Sequence, residues 1–180
     1  MEKILFVSHC VLNTASKIFY NTEKIINKEQ CNRVKFLNQV AENGVQLIQL
    51  PCPEFLMYGS DRWGHSKDQF DNPFFKEKCR EILIPYLLQM KEYLKNKERF
   101  EVLGIIGIDG SPSCGIDTSF CANWGGELSG CHQLDEVIKR GTLKKEKGVF
   151  METLSYMLIE NKINIPMTAL KQDVLLELLL

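Results

Sequence analysis

Three cysteines fall at equivalent places along the chain, each shortly after an apolar run that is typical of a buried strand. Cys10 follows KILFVS, Cys52 follows VQLIQL and Cys114 comes soon after EVLGIIGI. The carboxyl ends of parallel strands lie along one edge of a sheet, where such folds bind ligands. Three thiolates that meet there form a soft ligand set, suited to zinc, copper(I) or an iron–sulfur cluster. Because closed structural sites normally use four protein ligands, a three-cysteine site leaves a coordination position for a substrate.

Groups that can move protons or orient a substrate flank two of these cysteines. Glu54 lies two residues after Cys52, and Ser111 and Ser113 lie on either side of the proline before Cys114. A carboxylate and hydroxyls beside an open coordination position are candidates for proton transfer and substrate positioning. We therefore expect the side chains of both segments to line one site.

The hydrophobic pattern predicts a sheet that could bring these residues together. Strands are predicted at residues 3–8, 45–50, 101–108 and 163–168, the last at an edge because it contains proline. Helices are predicted at residues 32–43, between 73 and 94 with a kink at Pro85, around 150–159 and at 173–179, and long loops at 54–72 and 117–147.

Strands that alternate with helices indicate right-handed crossovers and a parallel sheet covered on both faces. The sequence thus predicts an α/β fold with a small Rossmann-like or flavodoxin-like parallel sheet of about four strands. We expect the second, first, third and fourth strands to be neighbours in that order. The whole chain, residues 1–180, is expected to form a single domain.

The motifs around the three cysteines resemble those of the thiouracil desulfurase family. VSHC at residues 7–10, CPE at 52–54 and GSPSCG at 110–115 occur in the family's order and at approximately its spacing. The resemblance implies a 4Fe-4S cluster held by Cys10, Cys52 and Cys114, whose fourth iron takes sulfur from a thiolated small molecule. It also implies that Glu54 and Ser111 assist the reaction as catalytic residues.

Two segments differ from the family's pattern. The first motif usually continues to a second cysteine, where Ser16 stands here, and the segment after CPE reads FLMYGSDRWGHSKDQFD. A related but distinct desulfidase subgroup is therefore implied. Long loops at this edge of a sheet often cover ligands, so His65 in this loop and Ser113 are candidate substrate-binding residues.

The residues themselves leave other interpretations open. A zinc-binding module with three cysteine ligands uses the same positions, and so does a sulfur-carrier or cluster-transfer protein. Three small buried residues without any ligand are a further alternative, because free cysteine is among the most buried residue types. The favoured hypothesis is an enzyme that cleaves the C–S bond of a thiolated, heterocyclic small molecule.

The other cysteines carry weaker signals. Cys31 and Cys79 lie on or beside predicted helices, so we expect them to pack. Cys121 and Cys131, with His132 nearby, could supply a fourth ligand, a second metal site or a redox pair. Their ten-residue offset matches no zinc motif.

The composition limits the kinds of partner that the chain is expected to bind. The chain has 22 Lys and Arg against 23 Asp and Glu, a formal net charge of −1, which argues against nucleic acid or an anionic membrane as partner. No apolar run reaches the roughly 18 residues that span a bilayer and no secretory signal is recognised, so a cytoplasmic location is expected. The C-terminal leucines predict a packed helix face, with a homodimer interface as the alternative.

Overall fold

A four-stranded parallel sheet lies at the centre of the molecule. The computed structural model describes residues 1–18, 23–171 and 173–179, with the backbone alone for residues 23–27. The strands are β1 (Glu2–Val7), β2 (Gln46–Gln49), β3 (Phe100–Gly107), β4 (Ser119–Cys121), β5 (Thr142–Lys144) and β6 (Met167–Ala169). In the parallel sheet the order is β2-β1-β3-β6, which confirms the predicted class and order, while β4 and β5 pair antiparallel.

Eight α-helices are described: α1 (His9–Leu12), α2 (Glu23–Glu42), α3 (Pro53–Tyr58), α4 (Lys67–Phe70), α5 (Pro73–Lys95), α6 (Leu134–Lys139), α7 (Val149–Glu160) and α8 (Val174–Leu179). None of the helices in this part of the chain has the length and apolar character needed to cross a bilayer.

The core has two halves, one on each face of the sheet. Successive side chains of a strand point to opposite faces, so Phe6 packs with residues of α5 and α7, whereas Leu5 and Val7 pack with residues of α2 and α8. The predicted helices on both faces are thereby confirmed. Leu175 of α8 is fully buried, as expected for the C-terminal leucines; Leu180 lies outside the described residues.

Several predicted boundaries are wrong. Helix α2 begins at Glu23, nine residues before the predicted start at residue 32, because a polar run of Lys, Glu and Gln favours helix without an apolar stripe. The predicted loop at 54–72 contains α3 and α4, and the predicted loop at 117–147 contains β4, α6 and β5. These elements have three to six residues each, too few for hydrophobic periodicity to reveal them. Helix α5 runs through Pro85 to Lys95.

The loop after β3 is docked onto the start of α7. Val149 N donates to the Pro112 carbonyl at 3.0 Å, and Phe150 N donates to the Ser113 carbonyl at 3.0 Å. The first amides of a helix have no partner within it, so the loop carbonyls satisfy groups that would otherwise be orphaned. At Gly148 the approach is so close that a Cβ atom would lie 2.4 Å from the Ser113 carbonyl carbon.

Replacing Gly148 by alanine should therefore destabilise the fold. Its Cβ would meet the backbone of the cysteine-bearing loop, and overpacking of this kind costs about 1–3 kcal/mol. We expect a lower urea midpoint with an unchanged slope. Gly125→Ala is the control, since a Cβ there meets open space within the described structure. Equal midpoints for the two variants would contradict this packing.

Candidate functional site

One cavity of about 560 Å³ gathers the seven residues predicted as cofactor-binding, catalytic or substrate-binding. It opens where β1 and β3 end, because Ser8 directly after β1 and Ile108 directly after β3 both line it. The predicted site residues in its lining are Cys10, Cys52, Glu54, His65, Ser111, Ser113 and Cys114. Seven residues from four separate stretches of sequence thus face a common space.

Cys10 is placed by the end of β1. Ser8 binds the Ile106 carbonyl of β3 twice, through its amide at 2.8 Å and its hydroxyl at 3.1 Å, and the chain then turns into α1. Cys10 is the second residue of α1, so it lies one step beyond the strand itself. Its sulfur lies 3.4 Å from the hydroxyl of Ser16, the residue at the position of the family's second cysteine.

The CPE motif forms the start of α3. Cys52 is the N-cap residue and its sulfur accepts a hydrogen bond from Phe55 N at 3.4 Å. Pro53 occupies the first helical position, where its missing amide proton costs nothing. Glu54 follows in the first turn, where a carboxylate interacts favourably with the helix dipole. The order of the three residues is therefore that of a helix start.

Cys114 lies in a tight turn after β3. Ser111 accepts a hydrogen bond from Cys114 N through its hydroxyl at 3.0 Å and from Gly115 N through its carbonyl at 3.1 Å. The Cys114 carbonyl in turn accepts from Ile108 N at 2.9 Å. Asp109 supports the same turn, because one of its carboxylate oxygens accepts three backbone amides. These contacts fix the direction of the Cys114 side chain.

The three thiols differ in their tendency to ionise. A hydrogen bond from the Cys10 thiol, helped by the Phe55 amide, lowers the pKa of Cys52 to about 7. The same hydrogen bond, together with burial, strongly raises the pKa of Cys10. Burial and the neighbouring Cys52 charge raise the pKa of Cys114 to about 12. Cys52 is thus the thiol of the site that ionises most readily.

Glu54 is held from both sides. Ser113 donates its hydroxyl proton to Glu54 Oε1 at 2.5 Å, and Arg62 Nε lies 3.4 Å from Glu54 Oε2. Arg62 also donates to the carbonyls of Gly59 and Ser16, both at 2.7 Å. Its side chain is only 4% exposed, so it acts as a buried tie between α3 and the segment after Cys10. Sequence reasoning missed this contact, since DRW in a polar loop carries no signal for burial.

His65 lies in the lining as predicted, packed on aromatic rings. Its ring stacks on Tyr58 with centroids 4.8 Å apart and lies 4.9 Å from the Phe70 ring. Burial lowers the pKa of His65, which favours the neutral imidazole. The lining also contains Phe120, Trp124 and Leu143, which the sequence did not single out.

The other cysteines fall outside the cavity lining. Cys79 is fully buried in the core, as predicted, but Cys31 is exposed on α2, so the prediction that it packs is wrong. Cys121 is buried on β4 and donates to Glu146 at 2.9 Å. Cys131 is half-buried and His132 is exposed, so neither resembles a fourth ligand to the cavity.

The donor set of the cavity fits a thiolate-bound group. Cys10, Cys52 and Cys114 line the same space, and the lowered pKa of Cys52 supplies a thiolate at neutral pH. Among the residues that the structure describes, no three His, Cys, Asp or Glu side chains are grouped closely enough to hold a single metal ion.

Alkylation of the metal-free chain should follow these pKa differences. Only the thiolate reacts with iodoacetamide, so the rate of Cys52 modification should be half its maximum near pH 7 and level off at higher pH. Cys114 should react slowly throughout this range, because its pKa is about 12. Mass spectrometry of the peptides at limiting reagent measures both rates. Equal modification of the two cysteines at pH 7.5 would contradict the order of ionisation.

Comparison with known proteins finds one informative relative. No protein-family model and no solved structure matches the chain. The chain is 34% identical over 119 residues to the Uncharacterized protein MJ0003 of Methanocaldococcus jannaschii, a match that covers 64% of this chain and 69% of the relative. With this identity over more than two thirds of the relative's length, the chain belongs to the same family as the Methanocaldococcus jannaschii protein.

Proposed function

We propose that the protein is a desulfidase of the thiouracil desulfurase-related type, which removes sulfur from a thiolated small molecule. One observation carries the proposal: Cys10, Cys52, Cys114 and Glu54 line the same cavity although they come from three distant motifs. The resemblance of these motifs to the family supplies the chemistry. The fixed carboxylate beside the thiols is what a hydrolytic reaction needs and what a purely structural metal site does not.

Cys10, Cys52 and Cys114 would hold a 4Fe-4S cluster. Each cysteine would bind a different iron of such a cluster, and all three thiols line the cavity in which the cluster would lie. A single zinc with Zn–S bonds of about 2.3 Å needs sulfurs within about 4 Å of one another. The resemblance of the three motifs to the thiouracil desulfurase family is what favours the cluster over zinc. When bound, the cluster supplies an iron with an open position, a Lewis acid for a thiocarbonyl sulfur.

Glu54 is the group placed to handle protons. Its carboxylate is bound by Ser113 and Arg62, which fixes its orientation while it lines the cavity. From this position it takes a proton from the attacking water and returns it to the departing sulfur. The reaction is a hydrolysis without change of oxidation state: the C=S bond becomes C=O with the oxygen of water, and sulfur leaves as hydrogen sulfide.

Ser111 and Ser113 have different parts. The Ser113 hydroxyl is committed to Glu54, so it positions the base. The Ser111 hydroxyl accepts from Cys114 N and lies 3.3 Å from the Ser113 hydroxyl. Its proton is therefore free to be donated to a bound substrate or to Ser113. Ser111 thus orients the substrate, and Ser113 with Arg62 holds Glu54.

Release of sulfide tests the proposal. Protein reconstituted anaerobically with iron and sulfide, then desalted, should release hydrogen sulfide from a thiolated pyrimidine or cyclic thiourea and yield the oxygen compound, labelled when the water contains ¹⁸O. If iron-loaded protein keeps the sulfur bound until a second protein is added, the sulfur-carrier alternative replaces this proposal. If neither the thiolated pyrimidine nor the cyclic thiourea is converted, the proposal fails.

Glu54→Gln should separate proton transfer from cluster binding. The amide keeps the size of the side chain but cannot accept a proton, so sulfide release should fall by about 10²–10⁴-fold. Iron content and visible spectrum should stay at the wild-type level. Glu136→Gln is the matched control, because Glu136 is an exposed residue of α6 outside the cavity lining. Unchanged turnover in Glu54→Gln would remove this residue from the mechanism.

A further inference from the structure

One wall of the cavity contains Phe120, Trp124 and Leu143. The proposed reaction gives no role to the two aromatic rings in this wall. Phe120 lies on β4, opposite Leu143 of β5 in the antiparallel register, and Trp124 follows three residues after β4. The rings of Phe120 and Trp124 lie 5.4 Å apart at 48°. We call these three residues the aromatic wall.

The indole of Trp124 is held in place by α4. Its Nε1 donates to Gln69 Oε1 at 2.7 Å, and the same oxygen accepts from Ser66 N at 3.0 Å. The indole N–H is therefore already bound to a fixed partner and is not offered to a ligand. What Trp124 offers to the cavity is its ring.

The backbone that carries Trp124 is also fixed to α4. Ala122 donates its amide to Asp68 at 2.8 Å, and its carbonyl accepts from the buried hydroxyl of Ser66 at 2.8 Å. Lys67 is only 5% exposed and binds Glu146, two residues after β5, at 3.2 Å. Residues 66–69 thus hold the aromatic wall through four separate side chains.

Phe120 is fixed from the other side. Its ring lies against Gly141, where a Cβ atom would come within 2.3 Å of the ring. Only glycine allows the ring this position. Two rings that are fixed by independent contacts lose little conformational entropy when a ligand packs against them, which is the physical meaning of a preorganised binding surface.

We propose that Trp124 determines specificity by stacking on a planar, aromatic ring of the ligand, with Phe120, tilted by 48° to the indole, bounding that ring from the side, so that flat substrates are preferred over saturated ones of the same size. Base-like rings stack on aromatic side chains with a gain of several-fold or more in affinity. The thiols and Glu54 belong to the same cavity, so a ring stacked on the wall shares its space with the proposed reaction centre. That the ligand carries sulfur rests on the proposed function, whereas the preference for a flat ring rests on the wall alone.

The test compares two ligands that differ in flatness. The probes are 2-thiouracil, which is planar and conjugated, and 5,6-dihydro-2-thiouracil, which has the same size but a puckered ring. Isothermal titration calorimetry of the full chain, as purified and after iron reconstitution, gives Kd for each. We expect the planar ligand to bind at least about fivefold more tightly.

Variants test whether Trp124 causes the preference for the planar ligand. Trp124→Leu should reduce the ratio of the two Kd values to near one, and Trp124→Phe should restore most of it because a ring remains. Trp63→Leu is the matched control: Trp63 is the other tryptophan of the chain, is 80% exposed and lies outside the cavity lining. Urea midpoints verify that each variant is folded.

The outcomes separate the two proposals. A ratio near one in the native chain, an undiminished ratio in Trp124→Leu, or no binding of either probe would overturn the stacking role. Sulfide release is measured independently. If the chain prefers the flat ring but releases no sulfide, the stacking role stands and the desulfidase proposal fails. If it releases sulfide without preferring the flat ring, the desulfidase proposal stands and the stacking role fails.

Discussion

The parallel hydrogen bonding of β1 to both β2 and β3 determines where the three cysteines lie. Val7, the last residue of β1, is level with Gln49 of β2 and Ile106 of β3. Neighbouring strands lie about 4.8 Å apart, so three adjacent strand ends fall within roughly 10 Å. Residues 42 and 62 positions apart in sequence, Cys10, Cys52 and Cys114, therefore line one cavity. Each following segment then turns the thiol toward this space.

The site also requires buried charge to be compensated. Glu54 is 9% exposed and would be costly to keep ionised alone in that position. Arg62 and Ser113 offset this cost, and Arg62 at the same time ties α3 to the segment after Cys10. The carboxylate that is proposed to move protons and the contact that organises the loops are thus parts of one network. A change at Arg62 would alter both.

The parts of the structure that hydrophobic pattern governs could be predicted from sequence. The apolar runs KILFVS, VQLIQL and EVLGIIGI predicted three of the four strands of the parallel sheet. The rules for parallel sheets then predicted their order and the gathering of the three cysteines at one edge. Cys10 was expected at a strand end but lies in α1, because a four-residue helix leaves no periodic signal.

Contacts between distant side chains could not be predicted in the same way. The hydrogen bond between Ser113 and Glu54 joins residues 59 positions apart in the sequence, and the one between Trp124 and Gln69 joins residues 55 positions apart. Nothing in local pattern specifies such pairs, since they depend on how loops fold back over the sheet. Burial of Arg62 and exposure of Cys31 were missed for the same reason: neither residue type nor helical position fixes which face of the finished molecule it occupies.

If Cys10, Cys52 and Cys114 hold a 4Fe-4S cluster, each of them should be needed for iron to bind, and the iron content per chain measures this. The native chain and the variants Cys10→Ser, Cys52→Ser and Cys114→Ser are reconstituted anaerobically with iron and sulfide, with Cys31→Ser as the control from the exposed surface of α2. We expect a brown native protein and a brown control with about four irons per chain, and loss of iron in each of the three site variants. A colourless native protein that binds one zinc, or site variants that keep all their iron, would contradict it.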